Sequence, residues 1–166
     1  MGVLLTSNVV LRELSLETFF GSQRRLWVPA KHALLEKAEV TLADVAAEPY
    51  ILLTVDEAAG TAMKYWSKTP YQPQIRLRTS SVEAVRSTVA NGLGVTVLSD
   101  MVYRPWSLEG KRIETISLRD AVPTMNIGLG WKQGIEFSPA MTAFRDYFRQ
   151  LFLEPVVHQG RRRSGG

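Results

Sequence analysis

Residues 79–100, TSSVEAVRSTVANGLGVTVLSD, constrain the fold more than any other stretch of this chain. Ser80 and Glu83 stand three apart, the spacing of a capping box in which a hydroxyl and a carboxylate satisfy two backbone amides. Val82, Val85 and Val89 then give a helix one apolar stripe. Gly92 suits the left-handed residue that ends a helix. Gly94 lets the next strand start close against a neighbour, and Val95 and Val97 lead into a sheet. The stretch therefore predicts a capped helix, a glycine turn and a buried strand.

Gly-Leu-Gly invites a nucleotide-binding reading, and the order of elements rejects it. In a dinucleotide fingerprint the glycines follow a strand and open a helix, whose amides face the pyrophosphate. Here they end a helix and open a strand, at the negative end of the helix dipole. The positive end lies at Thr79, Ser80 and Ser81, directly after the alternating segment QIRLR, 74–78. Ligands of open α/β sheets bind at the carboxyl ends of strands, and anions favour helix N-termini. Two readings stand there: the hydroxyls cap the helix, or they line a pocket.

The rest of the chain supplies the sheet and its cover. Gly2–Leu5, 24–28 (RRLWV), 50–54 (YILLT), 74–78, 112–118 and 126–132 read as strands. Ile75 and Leu77 fall on one face by alternation, as do Ile127, Leu129 and Trp131. Thr41 and Asp44 offer a weaker capping box for a short helix. Residues 56–68 are helical, with Asp56 and Glu57 favourable at the positive end. Residues 138–152 form the strongest helix. Ser138 caps it, Pro139 takes its first position, and Met141, Phe144, Phe148 and Leu151 make one stripe. Strands alternating with helices predict an α/β fold with a largely parallel sheet.

Composition narrows the function classes. The chain has 166 residues and no cysteine, which excludes disulfides, thiolate zinc sites and cysteine nucleophiles. Its net charge of +4 includes Arg161, Arg162 and Arg163 in the tail; without them the balance is close to neutral, so no basic groove is indicated. The apolar start lacks a basic n-region, and Ser7 and Asn8 interrupt it, so no signal peptide is read there. No run is long enough to span a membrane. A cytoplasmic protein is expected. His32 and His158 belong to no triad or metal spacing. The adjacent Asp56 and Glu57 read as a helix start rather than as acid–base machinery. The four tryptophans are scattered. Arg76 and Arg78 share a strand face: Arg78, just before the hydroxyl cluster, either pairs with an acidic effector or, the favoured reading, belongs with Arg76 to a solvated sheet face.

Three segments carry a resemblance. RTSSVEAVRSTVANGLGVTVLSD resembles the effector-binding region of LysR-type transcriptional regulators. LWVPAKHALLEKAEVTLADVAAEPYILL is similar to the family's hinge strand, its His-Pro-Leu turn (here His32, Ala33 and Leu34) and the short helix that follows. MNIGLGWKQGIEFSPAMTAFRDYFRQ is similar to the return strand and final helix. The resemblance covers residues 2–153.

The resemblance implies a type II periplasmic-binding-protein-like α/β fold: one lobe with a mixed sheet over 30–124, and an incomplete second lobe. Hinge strands and the remnant of that other lobe would occupy 1–29 and 125–153, and 154–166 would be a flexible basic tail. It further implies a regulatory domain that binds a small organic, acidic effector and uses no cofactor or metal. Ser80 would contact the effector, flanked by Thr79 and Ser81, with Thr54 as a further contact. DNA would be bound only through an N-terminal domain of the parent protein that this chain lacks. The uncovered aromatic stripe of Phe144 and Phe148 implies a homo-oligomer. A solute-binding or enzyme domain of the same fold is the alternative; the first would need a signal peptide and the second a catalytic constellation.

Overall fold

The entry strand of the central sheet is buried on both faces, and this decides the layering. In a computed structural model, which describes residues 1–6, 13–55 and 58–153, the strands are β1 (Gly2–Leu5), β2 (Leu14–Ser22), β3 (Arg24–Pro29), β4 (Pro49–Leu53), β5 (Gln74–Thr79), β6 (Thr96–Ser99), β7 (Ile113–Ile116) and β8 (Met125–Lys132). The helices are α1 (Leu42–Ala46), α2 (Ala58–Trp66), α3 (Val82–Ala90) and α4 (Pro139–Leu153). Asp56 and Glu57, assigned above to a helix start, lie outside the described residues, as do the tail and Ser7 and Asn8. The strand β2 was not anticipated, although Leu14 and Leu16 alternate with polar residues within it.

Two compact units are present: Met1–Gly21 with Asn126 onward, and Ser22–Met125. In the second, Leu26 and Val28 of β3 point into one core with Tyr50, Leu52, Val97 and the helices α1 and α2. Trp27, between them, points into the opposite core with Ile51, Leu53, Leu98 and Val85 and Val89 of α3. Period-two alternation along buried strands thus feeds two apolar layers, each closed by helices. Val85 and Val89 are fully buried, as their helical spacing predicts, and each burial contributes about 1.5–3 kcal/mol.

The sheet is mixed rather than largely parallel. β4 pairs in parallel with β5, and Val95 bridges to Tyr50 in the same sense. β3 pairs antiparallel with both β6 and β7. The chain enters this unit along β3 and returns along β6 and β7, so the entry strand must run against its neighbours. A bulge at Arg76 breaks the alternation of β5: Tyr50 faces Ile75, while Ile51 faces Leu77. Ile75 packs in the first core layer, and Leu77 is shifted to the other side of the strand.

The glycine turn forms as read. Gly92 has φ +76°, the left-handed region. A Cβ on Gly94 would stand 2.7 Å from the Pro49 carbonyl oxygen, so only glycine lets this segment lie against β4.

In the other unit β8 lies between β1 and β2. Ser138 Oγ accepts from the Met141 amide at 3.2 Å and caps α4 as expected. Phe148 packs edge-on against Phe19 at 5.4 Å, but Phe144, Leu151 and Phe152 stay exposed.

Candidate functional site

The four hydroxyl residues singled out above fall on one edge of the second unit. β4 and β5 are parallel and in register to their ends, with Leu53 opposite Thr79. The Thr54 amide then donates to the Thr79 carbonyl at 2.8 Å, holding the two carboxyl ends together. Ser80 and Ser81 follow at once and α3 begins at Val82. Parallel strands put Thr54 and Thr79 to Ser81 side by side because parallel pairing aligns like ends.

The division of labour among them differs from the expected capping box. Ser81, not Ser80, is the N-cap: its Oγ accepts from the Ala84 amide at 3.2 Å. Thr79 Oγ1 accepts from the Ser81 amide at 3.1 Å and fixes the turn into the helix. Glu83 does not reach back to the backbone; its carboxylate pairs with Arg86 one turn on. The physical reason is a one-residue boundary. With the cap at 81, Glu83 stands at the second helical position, where an i,i+3 partner is nearer than the cap amide.

That shift leaves Ser80 unoccupied. Its side chain is exposed and makes no hydrogen bond among the described residues, and the same holds for the Thr54 hydroxyl. The Val82 and Glu83 amides open the helix and have no intrahelical acceptor. The edge thus presents two unpaired hydroxyls beside helix-start amides at the positive end of the α3 dipole. Such a set can donate hydrogen bonds to a small oxyanion. Arg86, further along α3, is buried; it pairs with Glu83 and donates to the Val102 carbonyl at 2.5 Å, while its Nε has no partner among the described residues.

A family model described as the LysR substrate binding domain matches residues 2–153. The chain belongs to the LysR substrate-binding domain family. Among curated relatives, a transcriptional regulator of the helix-turn-helix type from Bacillus subtilis, YybE, is 28% identical over 130 residues, covering 78% of this chain and 43% of its own length. The crystal structure of HinK, a LysR family regulator from Pseudomonas aeruginosa, superposes with a TM-score of 0.79 at 23% identity, covering 89% of this chain and 51% of that one. The effector-binding domain of BenM, solved with its effector benzoate, superposes with a TM-score of 0.71 at 16% identity, covering 90% of this chain and 70% of that one. The fold is therefore the type II periplasmic-binding-like architecture of LysR effector domains. The chain spans about half the length of the curated relatives it matches.

Other expectations find their places in this LysR domain. His32 is structural: its Nδ1 accepts from the Leu34 amide at 3.2 Å, and its Nε2 lies 3.7 Å from Glu48. Trp27 and Trp66 are core, whereas Trp106 is half exposed beneath the Arg112 guanidinium. Among the described residues no cluster of metal-binding side chains occurs, and no helix is long and apolar enough to cross a membrane.

Sequence reading missed a cavity of about 220 Å3 lined by Gln23, Arg24, Ser117, Leu118, Asp120 and Val122. Arg24 was read only as part of an apolar strand, and Asp120 was given no role. No local signal joins residues so far apart in the chain; only the pairing of β3 with β7 does.

Proposed function

We propose that this chain is the effector-sensing part of a LysR-type transcriptional regulator, and that a small organic acid binds at the edge formed by Thr54, Thr79, Ser80 and Ser81. One observation carries the reading: Ser81 caps α3, so the exposed Ser80 hydroxyl is left free beside the first amides of that helix. An acid suits the place because carboxylate oxygens accept from hydroxyls and from helix-start amides alike. The benzoate bound by BenM belongs to that chemical class.

In this reading Ser80 donates directly to the effector carboxylate, and the Val82 and Glu83 amides add to it. Thr54 offers a second hydroxyl from β4. Thr79 and Ser81 act chiefly through the backbone they fix, since both hydroxyls already accept from amides. Effector binding favours one conformation of the regulator over another, and a DNA-binding domain outside this chain reads the shift. Residues 30–124, packed on the entry strand β3, form the sensing lobe, with the rest of 1–29 and 125–153 as hinge and part of the other lobe. The protein works in the cytoplasm, as a homo-oligomer, without a cofactor and without catalysing a reaction.

The test is calorimetry with a panel of small carboxylic acids on a regulator containing this domain. Ser80→Ala weakens binding about tenfold, the scale of one hydrogen bond to a charged group. Equal affinity in the two proteins removes Ser80 from the site.

A further inference from the structure

The cavity around Arg24 shares no residue with the hydroxyl edge, and its lining lies wholly within the Ser22–Met125 unit. Arg24 stands at the start of β3 and is partly buried. Its Nη1 donates to the Pro123 carbonyl. Among the described residues it has no carboxylate partner. Burial holds its pKa below the ordinary guanidinium value, while Tyr65 and Tyr50 act the other way. The group stays charged, and four of its five N–H donors remain beyond the one that Pro123 takes.

Asp120 lines the same cavity. Its Oδ2 accepts from the Leu42 amide at 2.6 Å, at the start of α1, and its Oδ1 is left without a partner. Arg24 and Asp120 do not form an ion pair with each other, although they share one cavity. A guanidinium and a carboxylate that line one cavity without pairing offer both signs of charge to a ligand that carries both, through charge-assisted hydrogen bonds. A plain anion would meet Asp120, and a plain cation would meet Arg24. Leu118 and Val122 give the remaining wall an apolar stretch. A volume of about 220 Å3 lies below that of drug-sized pockets and suits a molecule of few heavy atoms.

We propose that this cavity binds a small zwitterion of the α-amino acid class, its carboxylate on Arg24 and its ammonium on Asp120. The site is distinct from the hydroxyl edge and does not depend on it. It gives the domain a second input, chemically different from an organic acid.

The test is a nuclear magnetic resonance titration of the whole 166-residue chain with glycine, alanine, propionate and ethylamine at millimolar concentration. The Leu42 amide, which rests on Asp120, and the Arg24 Nε–H report on this cavity alone. The Val82 and Glu83 amides report on the hydroxyl edge, so the two sites fail or succeed separately. The expected result is saturable movement of the Leu42 and Arg24 signals with the amino acids and none with propionate or ethylamine. Arg24→Gln and Asp120→Asn each weaken that binding by about tenfold or more, with the far-ultraviolet circular dichroism unchanged. Asparagine keeps an acceptor for the Leu42 amide, so Asp120→Asn removes charge and preserves the helix start. The proposal is overturned if neither amino acid moves these signals, if propionate alone moves them equally, or if either charge-removing variant binds as wild type does. The wild-type comparison of the four probes decides the matter even where a variant fails to fold.

Discussion

The two serines that open α3 make opposite demands on a substitution. Ser81 satisfies the Ala84 amide, so Ser81→Ala costs about 1 kcal/mol of stability, the usual worth of an N-cap. Ser80 satisfies no group in the described chain, so Ser80→Ala changes stability by less than about 0.5 kcal/mol. Urea denaturation of the two variants measures both, and a reversed order would return the cap to Ser80. Asp44 allows a pH experiment. The Lys37 ammonium at 2.6 Å, with the Thr41 amide and hydroxyl, holds its carboxyl below the usual carboxylate value. A depressed folded pKa means that the stabilisation is complete above the unfolded value and is lost as pH falls through the folded one. Stability therefore declines below about pH 4, and Asp44→Asn makes that decline shallower. At this scale the sequence was legible in kind and blurred in position. Three successive hydroxyls offer three possible caps, and only the end of β5 at Thr79 decides among them. Arg24 was illegible because its surroundings come from β7 and the segment after it.

Among the elements, the glycine turn between α3 and β6 is the most exacting. Gly94→Ala would press a methyl against the Pro49 carbonyl oxygen at 2.7 Å and Ile51 Cδ1 at 2.8 Å. One of these is backbone and cannot step aside, so the change costs roughly 1–3 kcal/mol, as overpacking does. Gly92→Ala meets open space and pays only for its φ of +76°, about 1 kcal/mol. Thermal unfolding should rank Gly94→Ala below Gly92→Ala; the opposite order would mean that β4 does not approach this turn. Helices were legible here because a capping residue, an apolar stripe and a terminal glycine act together. The strand β5 was legible as a strand but not in phase. A bulge adds one residue without any mark in composition, and it moved Leu77 to the opposite side from Ile75. Parallel and antiparallel neighbours were likewise indistinct, since buried strands of either kind read as apolar runs.

For the whole molecule, the α4 surface and the α3 edge carry the consequences. Phe144, Leu151 and Phe152 remain exposed on α4, at 43%, 50% and 40%. Apolar surface of that kind favours association. Light scattering at tens of micromolar should give a mass above the monomer, and Phe144→Asp with Leu151→Asp should restore the monomer; a monomeric wild type removes this part of the account. The family was legible from the order of three segments, whereas the division at Ser22 and Met125 depends on contacts that no local pattern records. The central claim is that the hydroxyl edge around Ser80 takes an acidic effector. Its most direct measurement is a titration of the isotopically labelled chain with a panel of small carboxylates, benzoate among them, in wild type and in Ser80→Ala. The account predicts that the acid that binds shifts the amides of Thr79 to Glu83, and that Ser80→Ala weakens this binding about tenfold. Shifts centred elsewhere, or equal binding by Ser80→Ala, would contradict it.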